Sequence, residues 1–319
     1  MKPPLQTILL LALPASGKSE VRRYIDHVDA ATRARDLRMG PTVQLDDFPY
    51  VHMMRCVDDA LEQFGKARHY FAASDRPFID ARHWGTLIEL LNEDYDDLVA
   101  RRRVLPPQPG RSMLDRMDAA AGIAGATMLL DRIAGPVLER LIAAIEKDAR
   151  AVTEEKIAAI PDSLDGKTLV IEFSRGGPEN ATMPLPDPVG YRFALSRLLP
   201  AILEKATVLY IWVEPEESRR KNLARSKPDE QGSILHHGVP EIVMRVDYGC
   251  DDIAWLLEQS SVPGSVTIEN RGRTFHIPTA RFDNRVDKTS FLRGEPSAWN
   301  AADVKALHEG LCSAISSLR

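Results

Sequence analysis

Apolar residues fall into two patterns along the chain. From Thr7 to Leu13 nearly every position is apolar, as in a parallel strand buried on both faces. "PTVQLDDF" (41–48) predicts a second, shorter strand ending in acids. "KTLVIEFS" (167–174) predicts a third and "TVLYIWVEP" (207–215) a fourth. "SVTIE" (265–269) and "RTFHI" (273–277) bracket "NRG" and predict a hairpin. Elsewhere the spacing is helical. A helix is expected from about Gly17 to Ala30, with Val21, Tyr24, Ile25 and Val28 on one side, and another from about Ala301 to Leu318.

Between the second and third strands the helical pattern persists far beyond the few dozen residues of a simple βαβ crossover. Leu87, Leu91, Tyr95 and Leu98 form one stripe. Leu138, Leu141, Ile142, Ile145 and Ala149 form another, with Pro136 at a first-turn position. "LPPQPGRS" (105–112) reads as a break between helices. The expectation is an α/β fold of three α/β/α layers on a mainly parallel sheet with a large helical insertion. Residues 1–50 and 160–319 would form the core, and 51–159 the insertion.

The turn after the first strand carries the chemistry. "ALPASGKS" (12–19) fits the phosphate-loop pattern G-x-x-x-x-G-K-[ST] at every fixed position except the first, where Ala12 replaces glycine. Strand before and helix after are the context that pattern requires. Pro14, Ala15, Ser16, Gly17, Lys18, Ser19 and Glu20 are the expected phosphate cradle. Gly17 permits close approach, Lys18 reaches the β- and γ-phosphates, and the Ser19 hydroxyl holds Mg²⁺. A competing reading of the same stretch is a secretory leader. Its apolar run is short, only Lys2 precedes it as a positive charge, and an amphipathic helix follows at once, so the leader is rejected.

Composition narrows the classes. The 319 residues are 44% hydrophobic and 27% charged with a net charge of -5, which suits a folded core and argues against a nucleic-acid binder. Three cysteines, Cys56, Cys250 and Cys312, show no spacing for a metal or disulfide framework, and a cytoplasmic setting is expected. No apolar run reaches the ~18 residues of a membrane span. His236 and His237 adjoin in "ILHHG" and read as loop residues.

Further acids and arginines fall near the expected sheet edge. Asp46 and Asp47 close the second strand. One can accept a proton from an attacking hydroxyl or hold Mg²⁺; alternatively one caps the next helix. Glu172 sits in the third strand where an acid can reach a metal through water, with Asp47 and Ser19 as further metal donors. Arg175 follows on a loop that Gly176 and Gly177 make free to move, where a guanidinium can hold substrate. "PEESRRKNLAR" (215–225) predicts a helix bearing Arg219, Arg220 and Arg225.

The loop "ASGKS" followed by a strand ending "LDDF" resembles the P-loop kinases of small molecules, nearest to the uridine kinase, phosphoribulokinase and pantothenate kinase branch. The resemblance covers the sheet and its loops and not 50–160. It implies ATP and Mg²⁺, with Asp46 beside the acceptor hydroxyl. The order strand, acid, helix, arginine at 207–225 is similar to the lid of nucleoside and nucleotide kinases, which implies a catalytic role for Arg219 beside Lys18, Asp46 and Glu172. The expected partners are a nucleoside triphosphate and a small-molecule acceptor, with no nucleic acid and no membrane. Two alternatives stand beside phosphoryl transfer: a switch ATPase or GTPase, and a degenerate nucleotide-binding module.

Overall fold

A computed structural model describes residues 3–225 and 238–318. The described strands form one six-stranded sheet in the order β2-β3-β1-β4-β6-β5. These are β1 (Thr7–Leu11), β2 (Thr42–Asp46), β3 (Thr168–Phe173), β4 (Ala206–Trp212), β5 (Ser265–Asn270) and β6 (Arg273–Asp283). All neighbours run parallel except β5 and β6.

Alternation in β1 explains its unbroken apolar run. Leu9 and Leu11 enter the core on one sheet face, and Ile8 and Leu10 enter the other. On the first face lie α4 (His83–Ala100), α7 (Gly190–Arg197) and α11 (Ile253–Gln259). On the second lie α1 (Lys18–His27) and α12 (Ala301–Ser316). Helices on both sides bury every β1 side chain, so the strand is apolar after Thr7. The first helix stops at His27, short of the expected Ala30. Asp29 accepts hydrogen bonds from the Ala31 and Thr32 amides at 3.1 and 3.0 Å and caps a separate helix, α2 (Ala30–Asp36).

The stretch between β2 and β3 holds α3 (Phe48–Gln63), α4, α5 (Pro109–Ala124) and α6 (Pro136–Ala159). The expected break at 105–112 is shorter than read, because Pro109 opens α5 from its first turn. The stripe of Leu87, Leu91, Tyr95 and Leu98 also divides. Leu91, Tyr95 and Leu98 pack on the sheet, whereas Leu87 joins a third core with Met53, Met54, Val57, Met117 and Leu141. Helix α4 buries residues on more than one face because it is shared between two cores. Along α6 the stripe reduces to Leu141, Ile145 and Ala149, spaced four apart and fully buried.

The hairpin turns on Arg271 and Gly272, both left-handed at φ 48 and 76. A two-residue turn that matches strand twist requires this conformation. Beyond the expected Ile277, β6 continues to Asp283. Residues 273–278 pair with β5, and 279–283 pair with β4. Pro278, which lacks an amide donor, sits where the strand changes partner, and its presence ends the strand pattern early in the sequence. Among the described residues no helix is long and apolar enough to cross a membrane.

Candidate functional site

Strand β1 is central, and the chain crosses from β3 over it to β4, so the sheet offers a crevice at the carboxyl end of β1. Residues 12–17 occupy that edge. Alternate carbonyls, those of Ala12, Pro14 and Ser16, are tied inward. Tyr191 Oη and Lys18 Nζ donate to the Ala12 carbonyl at 2.9 and 3.2 Å. Ser218 Oγ donates to that of Pro14 at 2.6 Å, and Asn284 Nδ2 to that of Ser16 at 2.8 Å. In a trans peptide the N–H points opposite its carbonyl. The amides of Leu13, Ala15 and Gly17 therefore face away from these donors.

Ala15 and Gly17 adopt left-handed backbone, φ 57 and 103, which curls alternating amides into a nest. A Cβ on Gly17 would lie 2.5 Å from Thr289 Oγ1, so glycine is required there. Ala12 is different: its φ is not positive and its methyl is buried in the second-face core. The alanine in place of the first glycine therefore carries no backbone strain. The first-turn amides of α1 lack carbonyl partners within the helix and add donors at the same edge.

Lys18 is buried, and its ammonium also donates to Ser174 Oγ after β3. The half-buried Ser19 lies beside it in the first turn of α1. Glu20 turns elsewhere: it pairs with Arg293 at 2.8 Å, so its carboxylate belongs to the contact between α1 and the segment after β6.

Asp46 and Glu172 are cross-strand partners at the ends of β2 and β3. Burial, then the charges of Glu172 and Asp47, push the Asp46 carboxyl up to about 7. One Asp46 oxygen accepts the Phe48 amide at 2.9 Å at the start of α3, so the capping reading and the acid reading share one residue. Glu172 is held by Arg22 of α1 at 2.9 Å. Asp47 is held by Arg175 at 2.6 Å.

Arg175 departs most from its sequence reading. Its guanidinium is buried, donates to Asp47 Oδ2 and the Ser174 carbonyl, and stacks over Trp84 and Phe173. It ties the acid pair to the start of α4 and does not lie on a free loop. The following glycines serve close approach and not mobility. A Cβ on Gly176 would stand 2.4 Å from the Cys250 carbonyl, and Gly177 and Cys250 exchange backbone hydrogen bonds at 2.9 and 3.2 Å.

Helix α9 (Pro215–Arg225) reaches the loop through Ser218, a residue absent from the sequence reading. Arg219 is paired with Glu179 and Glu216 at 3.1 Å each, and Arg220 with Glu217 at 2.7 Å. The side chain of Arg225 and residues 226–237, with His236 and His237, lie outside the described residues. Sequence reasoning also missed Asn284, Thr289 and Lys221. Their signals are single polar residues, and Lys221 is buried 3.1 Å from Asp287.

A second feature adjoins the edge. A cavity of about 490 Å³ between β2 and helices α4–α6 is lined by Asp46, Pro49, Asp94, Arg116 and Lys156, among others. Its floor is a buried polar network. Tyr50 donates to Asp94 at 2.6 Å. Arg116 donates to Tyr50 at 2.8 Å, to Asp94 at 3.0 Å and to Glu93 at 2.9 Å. Lys156 contacts both Tyr50 and Asp94, and burial pulls its ammonium down to about 8. No local pattern marks this set, since its members come from four helices.

Comparison with known proteins finds no matching family model, no matching curated protein and no matching solved structure.

Proposed function

We propose that the protein is a P-loop kinase that transfers a phosphoryl group from MgATP to a hydroxyl of a small molecule held in the cavity beside Asp46. The observation that carries this reading is the double membership of Asp46. It belongs to the acid pair at the sheet edge, and it also lines the 490 Å³ cavity. A carboxyl near 7 is matched to accept a proton at neutral pH.

The residues at 12–19 fit a phosphate chain: inward carbonyls, a left-handed nest, and a glycine that cannot carry a Cβ. Lys18 supplies a positive charge beside the nest. Ser19 and Glu172 are the donors suited to Mg²⁺, which would neutralise charge on the phosphates when bound. Asp47 is committed to Arg175, so in this reading it positions the acid pair and does not bind metal. Arg175 likewise positions and does not touch substrate. Arg219 would have to leave Glu179 to reach a phosphate.

The test is ADP release from MgATP with and without a panel of hydroxyl-bearing metabolites, with Lys18→Ala as blank. Release that depends on one acceptor class supports the kinase. Equal release without acceptor points to a switch ATPase, and binding without turnover points to a degenerate module.

A further inference from the structure

A separate set of ligating side chains lies between α3 and α6. His52 and Cys56 are four residues apart and share one face of that helix. Asp148 of α6 meets them. Cys56 Sγ lies 3.5 Å from His52 Nε2, and Asp148 Oδ1 lies 3.9 Å from the same nitrogen. The three ligand atoms fall within 4.8 Å of one another. At 3.9 Å the His52–Asp148 contact is too long for a hydrogen bond. Zinc bonds of about 2.0–2.3 Å to nitrogen, oxygen and sulfur set ligand-to-ligand edges of about 3.3–3.8 Å in a tetrahedron. The present separations of 3.5 and 3.9 Å lie close to those edges, in side chains that are half-exposed, and the metal would take the place of the Cys56–His52 hydrogen bond.

We propose that His52, Cys56 and Asp148 bind a divalent transition ion, zinc foremost, with solvent as the fourth ligand. Nitrogen, sulfur and oxygen donors together suit zinc better than magnesium or calcium, which take oxygen alone. Binding replaces the Cys56 thiol proton with the metal and releases that proton to solvent, with no change of oxidation state. The ion would clamp α3 to α6, the helices that carry Pro49 and Lys156 into the cavity wall. This inference stands apart from the proposed phosphoryl transfer.

A contrasting cluster sharpens it. Asp36, His308 and Cys312 also gather, with the same four-residue His–Cys spacing. There, however, both ring nitrogens of His308 already have partners: Asp36 Oδ2 at 3.1 Å and Tyr24 Oη at 2.8 Å. That histidine is occupied by structure, and the cluster serves as the internal control. Cysteine spacing alone hides both groups, because each cysteine pairs with a histidine.

The experiment titrates Co²⁺ into the full chain, kept reduced by a phosphine, and follows the thiolate-to-cobalt charge-transfer band. The expected result is one equivalent bound, a band abolished in Cys56→Ser and retained in Cys312→Ser, and displacement by Zn²⁺. Asp148→Asn, at a half-exposed position, should keep the fold and weaken binding by about tenfold or more. Far-ultraviolet circular dichroism checks that Cys56→Ser folds. Absence of the band in the wild type, or a band untouched by Cys56→Ser and Asp148→Asn, overturns the site.

Discussion

The loop after β1 and the cavity under α4–α6 are built by opposite means. The loop is made of backbone: carbonyls tied inward, amides left outward, two left-handed residues, and a glycine that admits no side chain. The cavity is made of side chains: Tyr50, Asp94, Arg116 and Lys156 meet from four helices and satisfy one another. A backbone device occupies eight consecutive residues and can be read as a motif. A side-chain device spans more than a hundred residues of sequence and has no local signature. Asp46 stands where the two meet.

The strongest way to break the junction is Arg175→Ala. It strands Asp47 without its buried partner and removes the stack on Trp84 and Phe173. The expected loss is about 3–5 kcal/mol of stability, read by urea denaturation. Both regions should fail together in this variant.

Asp46→Asn separates them. Acceptor-dependent turnover should fall by about 10²–10⁴-fold while MgATP binding persists. In the wild type, turnover should rise as pH passes through about 7 and Asp46 ionises. Stability should move the other way. The folded carboxyl holds its proton more tightly than the unfolded one, at about 3.9, so stability is lost as pH rises from about 4 to 7. Asn removes that loss, so the variant should gain stability relative to wild type between pH 5 and pH 8. Thermal melts at pH 5 and pH 8 check the sign.

Gly17→Ala attacks the loop alone. The added methyl meets Thr289 Oγ1 on a left-handed backbone, and a cost of about 1–2 kcal/mol is expected with weaker nucleotide binding. Thr289→Ser in the same chain leaves the clashing oxygen in place and should not rescue it, whereas Thr289→Ala should do so in part.

Lys156→Met attacks the cavity alone and is the mildest change. Asp94 keeps Arg116 and Tyr50, so stability should shift by less than about 1 kcal/mol. The KM for acceptor should rise with the KM for MgATP unchanged.

The parts legible in the sequence were those governed by short-range physics. Strands β1 and β4 declare themselves because burial on both faces leaves them almost wholly apolar. "ALPASGKS" declares itself because its amides must take one conformation. Position in the chain put Asp46 and Glu172 near the carboxyl ends of their strands, and the pairing of β2 with β3 sets them side by side. The rest depended on tertiary contact. Arg175 reads as a free loop cation until Trp84 and Asp47 are seen to enclose it. The extension of β6 beyond Pro278 exists only because β4 accepts it as a partner. Helix α4 reads as a single stripe although it serves two cores.

The central claim is that the loop binds nucleotide and Asp46 acts afterwards. Calorimetry of MgATP binding to wild type, Lys18→Ala and Asp46→Asn tests it directly. The account predicts binding to wild type and Asp46→Asn and none to Lys18→Ala. Undiminished binding to Lys18→Ala would contradict it.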